Sequence, residues 1–135
     1  MGTGIVDPQT IDRVNILEAT RLAMYEALGK LTPRSDLVLI DALRLSALTC
    51  PQKALIRGDS RSASIAAASI VAKVTRDRLM LEADLRFPEY GFGRHKGYPT
   101  PEHLAALRKH GPCPIHRRTF HGVWSQGELF ERSRP

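Results

Sequence analysis

The chain has 135 residues, 42% of them hydrophobic, with 20 Lys and Arg against 14 Asp and Glu for a net charge of +6. That length makes one domain at most, with room for a modest core; two cysteines, Cys50 and Cys113, exclude a disulfide framework and fit a reducing cytoplasm. No apolar run approaches the roughly 20 residues that cross a bilayer, no secretory signal opens the chain, and the basic balance fits a polyanionic partner.

Met1–Val6 is too short to assign by pattern. Asp7-Pro8 is a helix start, with Asp as N-cap and Pro at the first helical position. The helix is expected to run to Leu28 and stop at Gly29, with Ile16, Leu17, Thr20, Ala23, Met24, Ala27, Leu28 and Leu31 recurring along one apolar face. Asn15 reads as an exposed or capping polar group. Thr32-Pro33 breaks the chain before a strand at Leu37–Ile40, which ends in Asp41. Arg44–Lys53 reads as a loop, and Ala54-Leu55-Ile56 as a short buried strand. Gly58 then lets the backbone turn, placing Asp59 at that strand's carboxyl end. Ser60, Ser62 and Ser64 offer N-caps for an Ala-rich helix reaching about Arg86, ahead of Phe87-Pro88.

Two neighbouring strands would deliver Asp41 and Asp59 to one edge of a sheet, where open α/β folds keep their ligands. Paired carboxylates there can hold Mg²⁺, which favours hard oxygen donors and substrate phosphates. Taken singly, each Asp also fits a strand-end turn residue bonding its own backbone. Asp77, several turns along the Ala-rich helix, suits an i,i+4 pair with Lys73.

From Phe87 to Pro101, Tyr90, Phe92 and Tyr98 alternate with Arg94, His95 and Lys96 among Gly91, Gly93 and Gly97. Cations can hold phosphates while an aromatic ring stacks on a sugar or base; the plain alternative is a Gly-rich turn whose aromatics enter the core, and Tyr90 and Phe92 are expected there. Pro101–His110 reads as a short helix burying Leu104 and Leu107, closed by Gly111. Cys113 and His116, with His110 and His121 nearby, lack the usual zinc spacing. Arg117 and Arg118 fit phosphate contacts or solvated charges equally. The polar end, 124–135, is expected to be a tail.

Several blocks carry a resemblance. Arg57-Gly-Asp-Ser-Arg-Ser-Ala-Ser-Ile-Ala-Ala-Ala-Ser-Ile-Val-Ala-Lys73, Tyr90-Gly-Phe-Gly-Arg-His-Lys-Gly-Tyr98-Pro-Thr100 and Gly111-Pro-Cys-Pro-Ile-His-Arg-Arg-Thr-Phe120 resemble, in order, segments of the ribonuclease HII (type 2 ribonuclease H) family, as do Ile11–Thr20 and Leu39–Ala42. The resemblance implies a partial α/β, ribonuclease H-like domain over 1–123. It implies an endonuclease that cuts the RNA strand of RNA–DNA hybrids and nicks 5′ to ribonucleotides embedded in duplex DNA, working as a monomer with Mg²⁺ or Mn²⁺. It makes Asp41 and Asp59 catalytic metal ligands and Tyr98 the ring that stacks at the RNA–DNA junction. Asn15, Arg57, Ser60 and Lys96 become further substrate contacts. The family's first two carboxylates lie in an Asp-Glu-Ala-Gly-Arg-Gly segment that this sequence lacks. The chain is therefore expected to be the C-terminal two-thirds of the enzyme, from a truncated gene, a misplaced start or a fragment, with Met1–Val6 as the tail of a strand. Alone it would be weak or inactive. The alternative is a non-catalytic nucleic-acid-binding module.

Overall fold

A computed structural model describes residues 1–120 and 123 as a mixed α/β chain. In order it has α1 (Pro8–Val14), α2 (Ile16–Gly29), β1 (Val38–Asp41), β2 (Gln52–Leu55), α3 (Gly58–Arg61), α4 (Ala63–Arg86), a 3-10 turn (Pro88–Tyr90), α5 (Phe92–His95) and α6 (Pro101–His110). These form two compact units: one of Met1–Val6 with Leu17–Arg76, the other of Asp7–Ile16 with the chain from Asp77 onward. The expected tail at 124–135 lies outside the described residues.

In the first unit β1 and β2 pair in parallel, from Val38 opposite Gln52 to Asp41 opposite Leu55. Their carboxyl ends share one edge, as expected. The strand expected at Ala54–Ile56 is shifted, however, and Ile56 lies beyond it, 75% exposed. An apolar run is buried in a parallel sheet only when layers cover both faces, and among the described residues β2 has β1 as its one strand neighbour. The connection between the strands is not a free loop. The N–H of Leu45 donates to Gln52 Oε1 at 2.8 Å, and Gln52 Nε2 donates to the Leu45 carbonyl at 2.7 Å. A side-chain amide thus copies a two-bond backbone pair, and Leu45 is fully buried beneath it.

Met1–Val6 forms no strand, contrary to expectation; it lies along α2 instead. Lys30 Nζ donates to the Thr3 carbonyl at 2.9 Å, and the Ile5 N–H donates to Glu26 Oε2 at 3.1 Å. The approach is close: a Cβ on Gly4 would stand 1.8 Å from the Ala23 carbonyl oxygen. Backbone cannot yield as a side chain can, so Gly4→Ala is expected to destabilise the chain by about 1–3 kcal/mol in urea titration.

The single helix expected over Asp7–Leu28 is two. Asp7 caps α1 as read, accepting the Thr10 N–H at 2.8 Å. The helix then stops at Asn15, whose φ of 70° and ψ of 167° carry the chain out of the helical path. Of the expected apolar face beyond it, Ile16 and Leu17 are exposed, while Ala23, Met24, Ala27 and Leu28 are half-buried. In the second unit Asp12 of α1 accepts the N–H groups of Arg118 (2.8 Å) and Thr119 (3.0 Å) and the Thr119 hydroxyl (2.6 Å). Burial opposes ionisation there, yet these bonds hold its carboxyl below the usual range.

α4 runs to Arg86 as expected, and Ser62 accepts the Ile65 N–H at its start. The core of the second unit joins Ala83, Tyr90, Phe92 and Leu107, with Met80, Phe87, Leu104 and Ile115 packed around them. Tyr90 and Phe92 are core residues, as read, and the Tyr90 hydroxyl donates to the Gly111 carbonyl at 2.7 Å.

Candidate functional site

Asp41 closes β1 with an exposed carboxylate whose Oδ1 accepts the N–H of Gly58 at 2.9 Å. The turn after β2 is not made by Gly58, as the sequence suggested. Arg57 makes it, in the left-handed region at φ 54° and ψ 48°. Gly58 serves a different need. A Cβ there would lie 2.6 Å from Ile65 Cδ1 and 3.4 Å from Asp41 Oδ1, so a larger residue at this point would have to push the end of the Ile65 side chain aside. Asp59 comes next, in the first turn of α3 rather than at the strand end, and is also exposed. Its Oδ1 accepts the Ser60 N–H at 2.8 Å, with the Ser60 hydroxyl at 3.4 Å. Asp41 is therefore hydrogen-bonded to the residue preceding Asp59.

Among the described residues no group of three or more His, Cys, Asp or Glu is placed to hold a metal ion. The donor set offered by this edge is two carboxylates. That chemistry fits Mg²⁺, which is commonly held by one or two carboxylates with substrate phosphate oxygens and water completing the shell.

The remaining candidates lie in the second unit. Asn15 sits at the break after α1. Lys96 is left-handed at φ 50° and donates through Nζ to the Gly93 carbonyl at 2.6 Å. Tyr98 is 59% exposed, and its backbone is held on both sides. Its N–H donates to the His95 carbonyl at 2.9 Å, and its own carbonyl accepts Thr100 N–H at 2.8 Å and His103 Nδ1 at 2.9 Å. Among the described residues the non-glycine positions with positive φ are Asn15, Ala42, Arg57 and Lys96. Three of these are candidate contacts, and the fourth adjoins Asp41.

Sequence reasoning missed the buried histidines. His95, His103 and His116 are each no more than 8% exposed. A signal existed for His103, which stands four residues before Leu107 on the same helical face. Cys113 Sγ is 3.1 Å from His116 Nδ1, and His121 falls outside the described residues. Burial first, then the neighbouring His103, pushes His116 down to about 4; burial likewise lowers His103 and raises the Cys113 thiol.

A pH dependence follows. With the folded pKa of His116 below the unfolded value, acidification protonates the unfolded chain first. Its stabilising contribution is complete above about pH 6.5 and is lost as pH falls toward 4, by at most about 2–3 kcal/mol. Thermal melts of His116→Gln should start from a lower midpoint at pH 7 and fall less steeply between pH 6.5 and 4.5 than those of the wild type.

The sequence model of the family described as Ribonuclease HII matches residues 3–123. Curated relatives with that name include those of Geobacter metallireducens, 57% identical over 91% of this chain and 58% of the relative, and Desulfitobacterium hafniense, 58% identical over 93% and 48%. The chain thus spans about half to three-fifths of the length of such relatives. Among solved structures, the ribonuclease H2 of Pyrococcus horikoshii superposes with a TM-score of 0.68 at 26% identity, covering 94% of this chain and 66% of that one. The ribonuclease H-like α/β fold is thereby shown, and the match of the family model over residues 3–123 together with identity above half places this chain in the ribonuclease HII family.

Proposed function

We propose that this chain carries the nucleic-acid-reading part and two metal-ligating carboxylates of a ribonuclease HII endonuclease, acting on RNA–DNA hybrids and on duplex DNA containing ribonucleotides. The observation that carries the reading is the 2.9 Å bond from Gly58 N–H to Asp41 Oδ1, which ties the end of β1 to the residue before Asp59. Asp41 and Asp59 would hold Mg²⁺ or Mn²⁺. Such an ion, when bound, supplies positive charge against the scissile phosphate and its attacking water. Arg57, Ser60, Lys96 and Asn15 hold the backbone of the substrate, and the affinity they give falls with salt. Tyr98 presents its ring to the sugar at the junction, where the 2′-hydroxyl separates ribose from deoxyribose.

Nicking of a duplex with one embedded ribonucleotide tests this directly. The expected result is weak Mg²⁺-dependent cleavage 5′ to the ribonucleotide, lost in Asp59→Asn and restored toward full rate when an N-terminal segment bearing Asp-Glu-Ala-Gly-Arg-Gly is supplied. Salt-sensitive binding with no cleavage in either arrangement would instead favour a non-catalytic binding module. Tyr98→Ala should reduce the preference for the ribonucleotide duplex over the all-deoxy duplex by about 5–100-fold, the effect of losing one stacked ring.

A further inference from the structure

We propose that His103 and His116 are positioning residues, forming a one-way chain of hydrogen bonds through two uncharged imidazoles that fixes the carbonyl of Tyr98 and hence the reach of its ring. The inference deepens the reading of Tyr98 as the junction-sensing residue and rests on it.

The direction of the chain follows from its two ends. The N–H of Cys113 points at His116 Nδ1 from 3.0 Å, and a backbone N–H only donates. His116 Nδ1 is therefore unprotonated, and the proton of the neutral ring sits on Nε2. At the other end His103 Nδ1 lies 2.9 Å from the Tyr98 carbonyl, which only accepts. His103 thus carries its proton on Nδ1 and has a lone pair at Nε2. The two Nε2 atoms are 3.0 Å apart, one able to give and the other to receive. The ends fix the tautomers independently, and the middle agrees with both. A second proton on His103 would set N–H against N–H, and one on His116 would face the Cys113 N–H.

His95 completes the mount. It stacks on His103 at 4.3 Å and 11°, its Nδ1 accepts the Gly97 N–H at 3.1 Å, its Nε2 meets the Tyr90 carbonyl at 2.7 Å, and its carbonyl takes the Tyr98 N–H. Both backbone polar groups of Tyr98 are therefore held by the two residues whose rings stack, the N–H by the His95 backbone carbonyl and the carbonyl by the His103 imidazole. The Phe92 ring lies 5.6 Å from His103 and 5.4 Å from His116, and the Tyr90 ring 5.0 Å from His116. The titratable neighbours of the pair are His95, Tyr90 and Cys113, all in this same cluster.

Imidazole nitrogen NMR of the full chain at pH 7 should find His103 protonated on Nδ1 and His116 on Nε2. The opposite tautomer, or a cationic ring at either position, overturns the proposal. The functional arm compares binding of a DNA duplex holding one ribonucleotide with binding of the same all-deoxy duplex. His103→Asn places an amide near the Nδ1 position and keeps a donor for Tyr98; His103→Gln places it near Nε2 and keeps only the contact to His116. His103→Gln is expected to lose about tenfold of the preference (1.4 kcal/mol), and His103→Asn less than about threefold. Equal losses in the two variants, or no loss in His103→Gln while Tyr98→Ala abolishes the preference, would overturn the positioning role. No loss in Tyr98→Ala would remove the junction reading itself and the proposal with it, while the tautomers remain separately measurable.

Discussion

Replacing Asp41 by asparagine is expected to weaken Mg²⁺ or Mn²⁺ binding by at least about 100-fold while leaving the fold within about 0.5 kcal/mol of the wild type. The two effects separate because the proposed ligation and the bond to Gly58 draw on different properties of the Asp41 carboxyl group. Its Oδ1 accepts the Gly58 N–H, and an asparagine carbonyl in the same place accepts it equally well. The negative charge is what the substitution removes. Loss of residues that merely orient a ligand costs about 10–100-fold in metal affinity, so loss of a direct ligand should cost no less. Isothermal titration with Mn²⁺ reads the first effect and urea unfolding the second. Asp41→Ala should differ from Asp41→Asn in stability, because it leaves the Gly58 N–H facing no acceptor, at about 1–3 kcal/mol where water does not replace it. If Asp41→Asn bound the ion as tightly as the wild type, the carboxylate would be a turn-stabilising group and nothing more.

Phe92→Ala should cost about 3–5 kcal/mol, a large share of the roughly 5–15 kcal/mol that holds a domain together. Phe92 is 2% exposed, at the centre of the second unit's core. It stacks with Tyr90 at 5.4 Å and meets the rings of His95, His103 and His116 at 5.4–5.8 Å. Removing it opens a cavity lined by polar imidazoles, which water can enter and which must then compete for their bonds. Phe92→Leu, which keeps most of the volume, should cost less than half as much by the same urea titration.

Much of this was legible in the residues, and the parts that were not have specific causes. The parallel pairing of β1 with β2, the long helix ending at Arg86 and the helix at Pro101–His110 follow from apolar runs, caps and breakers, which act locally. The core positions of Tyr90 and Phe92 were legible too, as aromatics of a Gly-rich turn that a core would take up. The break at Asn15 was hidden, since the apolar spacing from Ile11 to Leu28 continues through it and only a backbone angle interrupts the helix. Arg57 hid in the same way: a glycine beside it offered the easier turn, whereas that glycine lies against the end of the Ile65 side chain and carries no positive φ. The imidazole chain could not be read at all, because its members are separated by 13 residues and their pairing depends on how a loop closes on a helix.

The backbone angles at Asn15, Ala42, Arg57 and Lys96 have a consequence for the history of the sequence. Each holds a side chain where glycine would rest more easily, at about 1–3 kcal/mol apiece, and Asn15 occupies a region that is almost glycine-only. A lineage or a laboratory screen that rewarded heat resistance alone would drift toward glycine at these four places. It would gain melting temperature and, on the proposed function, forfeit the substrate contacts of Asn15, Arg57 and Lys96, so glycine at those three positions should be commoner among homologues that no longer cut.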